Sequence, residues 1–436
     1  MQSITGQYLA RYRRLDEGGE APLLLPATGA QRRFLLVRAL DRAGRPDLVP
    51  MFFAFPAGTV DPERLRAAAA RLAARHPALR ARPSVVRGIP VLRLAEPEVP
   101  VARVARLAGE SAEDALRRAL AEWAVDGPPM RILLAEDTGG GEPGQAREIL
   151  AIVLDHAVCD GWSLGRIVAE LGAAYEERGA EEADGDGADD RPADYRAAVL
   201  AQLDAEERAS TPAALDYWGE RLRTVREHTA PPVPSATGAS SGALRVRLPG
   251  VPGGVGFPAL LDGCTAAVQA LYGAEGGPVP LGYPWGGRPP GAEEVLGCFL
   301  NTLVFPAGSD QGAGRDSTTE RWWDDLDRAD TPFDAVVQAA RAAGSAWSGA
   351  LAGLLTVDDV RDRPALVLGG VPGREAEVDG RPVRGPFAVS VTQGDGLRLR
   401  MVWDRAVLAD RDAERAFAAL TDALRVPEGP EATLVL

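Results

Sequence analysis

The chain has 436 residues, more than one ordinary core requires, and 46% of them are apolar, enough to bury two lobes. All 48 basic residues are arginine, which excludes a Schiff-base lysine, a pyridoxal phosphate anchor and a phosphate-binding loop of the GxxxxGK(S/T) kind. A formal net charge of −14 argues against nucleic acid as the main partner, although an arginine patch can still dock an acidic protein.

The amino terminus, "MQSITGQYLARYRRLDEGGE", has no apolar core followed by a cleavage site. "VPMFFAFPAG" reads as a strand. Segment 61–75, "DPERLRAAAARLAAR", opens on Asp61-Pro62 and repeats Leu and Ala at helical spacing, so it reads as a helix. "IPVLRLAE" is a second strand, and a helix over 111–124 starts from Ser111 with Glu113 and Asp114 behind it. "MRILLAED" and "REILAIVLD" form a hairpin, and a helix over 163–177 leaves the end of its second strand.

From 178 an acidic, glycine-bearing run begins, "GAEEADGDGADDRP". The twelfth position counted from Asp184 is Tyr195 and supplies no bidentate acid, so the run reads as a solvated loop rather than a calcium site. Helices follow over 194–208 and 212–226, then the Pro/Ser/Gly linker "TAPPVPSATGASSG". The second half offers strands at "ALRVRLP", "PVPLGYPW", "FLNTLVFP", "RPALVLGG", "GPFAVSVTQ" and "LRLRMVWD". Its helices fall over 257–273, 319–343 and 410–424. This interleaving predicts an α/β protein of two related lobes: 1–177, a crossover region 178–243, and 244–436.

Cys159, Cys264 and Cys298 lie far apart, so neither a disulfide framework nor a metal site is expected, and a reducing cytoplasm fits. No run approaches the ~20 apolar residues of a membrane span. His76 ends a helix before Pro77, His228 precedes the linker, and Cys159 reads as a small buried side chain. Trp322-Trp323 reads as core packing, with an acyl pocket as the alternative.

The chemistry gathers at 149–171, "ILAIVLDHAVCDGWSLGRIVAEL". Histidine is the side chain best able to take and return a proton near neutrality, and a nearby acid can fix its tautomer. His156 ends a buried strand. Asp160 follows after a short turn, Gly161 permits close backbone approach, and the first amides of the next helix can face a developing oxyanion. The plain alternative is a histidine satisfied at a strand end, with Asp160 or Ser163 as a helix cap. Ser163 lacks the GxSxG turn of a strand-to-helix nucleophile.

"DHAVCDGWSLGRIVAEL" resembles the HHxxxDG signature of nonribosomal peptide synthetase condensation domains and related carrier-dependent acyltransferases. Further segments match that family in order: "LPATGAQRRFLL" its opening SxAQxR element, and "VDPERLRAAAARLAARHPALRAR" its RHxxLR element. "DYRAAVLAQLDAEERASTPAALDYWGERL" is similar to its crossover helices, "GYPWGGRPPGAEEVLGCFLNTLVF" to its GRxxxxxxxxxGxFxNT element, and "TPFDAVVQAAR" to its PFxxLV element.

The resemblance implies two chloramphenicol acetyltransferase-like lobes arranged as a V-shaped pseudo-dimer, an α+β sandwich with the signature in a tunnel between them. It makes His156 the catalytic residue, Asp160 the structural acid paired with Arg288, Asp155 and Gly161 parts of the motif, and Trp162, Ser163, Asn301 and Thr302 tunnel or oxyanion residues. Carrier proteins in trans, a donor and in some cases an acceptor, deliver thioesters on phosphopantetheine arms. A coenzyme A thioester can replace one carrier, and the acceptor is an amine or alcohol that a carrier or a free small molecule presents. No metal, bound cofactor, nucleic acid or membrane is expected, and the implied protein is a free-standing, monomeric, cytoplasmic enzyme of specialised metabolism.

The signature's first histidine is Asp155 here, and a carboxylate beside His156 attracts the protonated ring, a poor base. The same residues satisfy the DxxxxDxxS pattern of heterocyclization domains, which act on Cys, Ser or Thr acceptors, yet "GCFLNTL" has the condensation form. A non-catalytic scaffold that recruits a partner is the third reading.

Overall fold

The computed structural model describes residues 3–17, 24–40, 47–123, 127–137, 146–177, 191–227, 240–249, 254–273, 277–308, 315–359, 364–383 and 385–425. His228, most of the acidic run and most of the linker lie outside them. Numbering in chain order, the helices are α1 (Ile4–Glu17), α2 (Gly29–Leu40), α3 (Pro62–Arg75), α4 (Ala112–Ala121), α5 (Gly161–Glu176) and α6 (Arg191–Ala209). They continue as α7 (Pro212–Arg221), α8 (Phe257–Tyr272), α9 (Arg315–Leu326), α10 (Phe333–Ala342) and α11 (Asp410–Leu424).

One sheet has five strands in the order β14 (Arg374–Ala376), β2 (Leu48–Pro56), β7 (Arg147–Asp155), β6 (Met130–Asp137), β5 (Val101–Arg103). Only the β5–β6 pair in it is parallel. A second sheet has six, in the order β10 (Asn301–Ala307), β9 (Val279–Trp285), β11 (Gly353–Asp359), β15 (Phe387–Gln393), β16 (Gly396–Asp404), β8 (Ser241–Pro249). There β11 runs parallel to both neighbours. The strands β1 (Leu24–Leu25), β4 (Ile89–Leu94) and β3 (Ala81–Val86) make a small third sheet, and β12 (Val367–Leu368) with β13 (Val371–Pro372) a short hairpin.

The apolar run that opens the motif is explained by the place of β7. Leu150, Ile152 and Leu154 enter a core with Leu65 and Leu72 of α3 and Ile167 and Leu171 of α5. Ile149, Ala151 and Val153 point the other way, into a core with Leu116 and Leu120 of α4. A strand covered on both faces needs apolar residues at consecutive positions, so periodicity is suppressed. The start of α3 follows the sequence: Asp61 accepts from the backbone N–H groups of Glu63 and Arg64, with Pro62 at the first helical position. Ser111 and Asp114 likewise close a capping box on α4.

Several elements differ from the sequence expectation. Helix α5 starts at Gly161, because Asp160 takes the cap position and accepts the Ser163 N–H at 3.0 Å. The helical stretch expected over 319–343 is two helices, broken where Asn301 binds the carbonyls of Ala329 and Thr331. The strand expected at 363–370 shrinks to Val367–Leu368, and α1, α2, β3, β11 and β14 had no counterpart in the sequence reading. Strand β14 comes from the carboxyl-terminal half yet pairs with β2, Arg374 opposite Ala54 and Ala376 opposite Phe52, so the sheets do not divide at residue 244. The same segment is tied to the six-stranded sheet through Arg400 and Asp379 at 2.8 Å, and to α4 by Arg117 donating to the Asp379 carbonyl at 2.7 Å.

His76 caps the end of α3, as expected, and also meets Glu170 of α5 at 2.7 Å, while Arg166 reaches the same carboxylate at 2.6 Å. Burial disfavours the charged form of Glu170, but the bonds from His76 and Arg166 outweigh it and bring its pKa down to about 2. A depressed carboxylate stabilises the fold above the unfolded value near 4.5, and that contribution is lost as pH falls through about 2. Glu170→Gln is therefore expected to lower stability at pH 7 and flatten its decline between pH 5 and 2, measured by urea unfolding at each pH.

Candidate active site

The motif leaves β7 at Asp155, turns once through a 3-10 segment over His156–Val158, and enters α5. The backbone is pinned on both sides: Asp155 N–H donates to the Pro129 carbonyl and His156 N–H to the Asp47 carbonyl, each at 2.8 Å.

Asp155 is 4% exposed and both its carboxylate oxygens are engaged away from the imidazole. Oδ1 accepts the Ala157 N–H at 2.9 Å, and Oδ2 pairs with the Arg38 guanidinium at 2.5 Å. The expected pull of this acid on the ring is thus diverted. The half-buried imidazole of His156 instead lies against Phe34 of α2, ring centroids 4.5 Å apart and planes inclined by 24°. Its Nδ1 is buried with no hydrogen-bond partner among the described residues. Such an orphan costs about 1–3 kcal/mol, which makes the atom worth explaining.

Asp160 does not orient the imidazole either, contrary to the sequence expectation. It is 6% exposed and accepts from Ser163 N–H and Oγ–H, from Phe299 N–H, and from one Arg288 nitrogen at 2.7 and 2.8 Å. Arg288 in turn donates to the Val295 carbonyl at 2.7 Å and lies between the rings of Trp162 and Phe299. The pair the resemblance implied is therefore present, and it ties the start of α5 to the 295–299 segment.

Several implied roles do not survive the geometry. Ser163 is fully buried, with its hydroxyl within bonding distance of Asp160, Arg288 and Gly297, so it is structural rather than an oxyanion donor. Trp162 is 46% exposed and covers Arg288 from outside. Asn301 spends its amide on Ala329, Thr331 and Phe333 and has no donor left for an oxyanion. In the first turn of α5 the Ser163 and Leu164 amides are taken by Asp160. A Cβ at Gly161 would meet nothing within 4 Å, so the close approach expected there is not made by the chain itself.

A small cleft lies beside Phe34, and His156 is not among the residues that line it. Arg33 and Phe34 line it from α2, and Leu300, Thr302, Phe333 and Asp334 line it from the other half of the chain. The Arg33 guanidinium lies 3.6 Å from the Phe333 ring centre, and burial pushes its pKa down to about 10. Burial raises that of Asp334. Cys159 and Cys298 are fully buried thiols pushed well up by desolvation, so neither is a nucleophile. Trp322 packs on Phe257 whereas Trp323 is 56% exposed, so only the first of the pair is core. No group of three or more His, Cys, Asp or Glu residues among those described is placed to hold a metal, and no helix among them is long and apolar enough to cross a membrane.

The sequence reading missed α2 as a site element. Gln31, Phe34 and Arg38, spaced three and four, share a helix face laid over residues 155–157, with Gln31 Nε2 donating to the Ala157 carbonyl at 2.7 Å. That spacing inside "AQRRFLLVR" was the available signal. For the Asp160–Arg288 pair, Arg288→Ala strands a buried carboxylate and is expected to cost about 3–5 kcal/mol in urea unfolding. Asp160→Asn combined with Arg288→Met is expected to cost less than Arg288→Ala alone.

No family model matches the chain. Among curated proteins it is 28% identical over 425 residues to the probable non-canonical nonribosomal peptide synthetase CymA of Salinispora arenicola, a match covering 90% of this chain and 5% of that protein. It is 31% identical over 207 residues to the phenyloxazoline synthase MbtB of Mycolicibacterium paratuberculosis, covering 45% of this chain and 16% of that one. The chain thus spans a small part of each relative. Among solved structures it is similar to the X-domain in its complex with OxyB from teicoplanin biosynthesis, with TM-score 0.67, 18% identity, and 92% and 93% of the two chains covered. It is also similar to the starter condensation domain of the rhizomide synthetase RzmA in complex with C8-CoA and Leu-SNAC, with TM-score 0.66, 15% identity, and coverage of 94% and 96%. The chain thus has the fold of these condensation domains and, along 90% of its length, is similar in sequence to part of a nonribosomal peptide synthetase.

Proposed function

We propose that this chain transfers an acyl or aminoacyl group from a thioester on a carrier protein's phosphopantetheine arm to an amine, with His156 handling the proton. The observation that supports this best is a half-buried imidazole stacked on Phe34, a residue that itself lines a cleft between the two halves, with both neighbouring acids committed elsewhere. In this reading His156 accepts the proton as the amine attacks the thioester carbonyl, or holds it against the tetrahedral intermediate. The thiol of the arm then leaves and an amide results. A hydroxyl acceptor gives an ester by the same steps. The donor carrier binds in trans, a coenzyme A thioester is the simplest substitute for it, and the chain brings no cofactor of its own.

One observation favours a second reading. The similarity to a phenyloxazoline synthase, together with Asp155 and Asp160, fits cyclisation of a Cys, Ser or Thr acceptor. Against it stands the engagement of the two acids, each held in a buried ion pair, with Arg38 and Arg288 respectively. Intact-mass analysis of a loaded donor carrier with candidate amines separates the readings. The native protein is expected to give the condensed product, and His156→Ala to slow its formation by about 10²–10⁴. Product lighter by one water, formed only with Cys, Ser or Thr acceptors, supports cyclisation. Equal rates from both proteins overturn the role of His156, and no product with any cognate carrier favours a scaffold.

A further inference from the structure

We propose that Arg38 is a positioning residue for His156: it clamps Asp155 away from the imidazole and seats α2 so that Phe34 backs the ring. The proposal rests on reading His156 as the base, but its first readout needs no substrate.

The argument starts from two adjacent side chains that would otherwise combine. Asp155 and His156 are neighbours in sequence at the end of β7, and the ring's Nδ1 is buried without a partner. A free carboxylate one residue away would be the obvious acceptor for an N–H on that nitrogen. It would favour the imidazolium, which cannot accept a proton. The structure avoids this by giving both oxygens of Asp155 other partners, Ala157 N–H and Arg38, the latter pair 5% and 10% exposed at the side chains.

Arg38 does this from a chosen place. It lies four residues after Phe34, one turn along the same helix face, so the residue that holds the acid and the residue that stacks on the imidazole move as one body. Gln31, three residues before Phe34, anchors the same face through the Ala157 carbonyl. The other charged groups near His156 do not compete. Asp160 is held by Arg288, Asp47 gives its backbone carbonyl to His156 N–H while its carboxylate interacts with the charge of Arg33, and Arg33 lies over Phe333 in the cleft. Loss of Arg38 therefore removes the ionic partner of Asp155, next in sequence to an imidazole whose Nδ1 has no partner among the described residues.

The chain has three histidines, so the imidazole Cε1–H resonances can be resolved by proton NMR, with His156→Ala assigning the relevant one. In the native protein this signal is expected to show the ring-current shift of a stacked imidazole. In Arg38→Met it should lose that shift and titrate at higher pH. Arg38→Lys should restore it in part. In Arg38→Met combined with Asp155→Asn, where no carboxylate is left to capture the ring, the titration should return to its native position. That last result separates positioning from a general packing defect, and it still applies if the single variant fails to fold, because the double variant buries no unpaired charge. With a competent donor and acceptor, Arg38→Met should lower kcat by about tenfold or more with KM little changed. An unaltered His156 signal in folded Arg38→Met, or a double variant whose titration stays displaced, overturns the proposal. Absence of condensation by the native protein, with the NMR behaviour as expected, overturns the acyl-transfer reading alone.

Discussion

The carboxylate of Asp160 is where the site and the fold meet. One oxygen pair receives the first turn of α5, an arginine from the loop after β9 and a backbone amide just before β10. Taking a carboxylate and a guanidinium out of water is expensive, and the cost is offset here because nearly every lone pair of the acid has a donor. Such a cluster adds little net stability over an apolar replacement. Its effect is geometric: it makes the start of α5, and so the turn that carries His156, a fixed distance from the far half of the chain.

On the near side, α2 completes the arrangement. Asp155 anchored to Arg38, the ring against Phe34 and the Ala157 carbonyl bound to Gln31 leave the 3-10 turn with little freedom. The imidazole is thus held by stacking and by its backbone, with no carboxylate among the described residues on either nitrogen. This differs from a catalytic triad, in which a buried acid fixes the tautomer.

The sequence made some of this legible and hid the rest for identifiable reasons. The central place of β7 could be read from its unbroken apolar run, and α3 and α4 from caps that obey local rules. The Asp160–Arg288 pair came from family resemblance, since nothing in local spacing links residues 128 positions apart. Helix α2 escaped because its pattern points the wrong way: Gln31 is fully buried, whereas Leu36 and Leu40 are 55% and 72% exposed. Strand β14 escaped because "REA" has no β-branched or aromatic residue and pairs only through its backbone at a sheet edge. The idle role of Asn301 depended on where the chain breaks between α9 and α10, which no motif records.

The late arrival of β14 has a consequence for biogenesis. Until the ribosome has passed Ala376, residues Phe52, Phe53 and Ala54 on the outer edge of β2 lack their partner strand, and their free amides and carbonyls are a template for intermolecular pairing. An amino-terminal fragment cut before that point would leave Phe52, Phe53 and Ala54 of this edge unpaired, so the nascent chain depends on a far downstream segment to cover them.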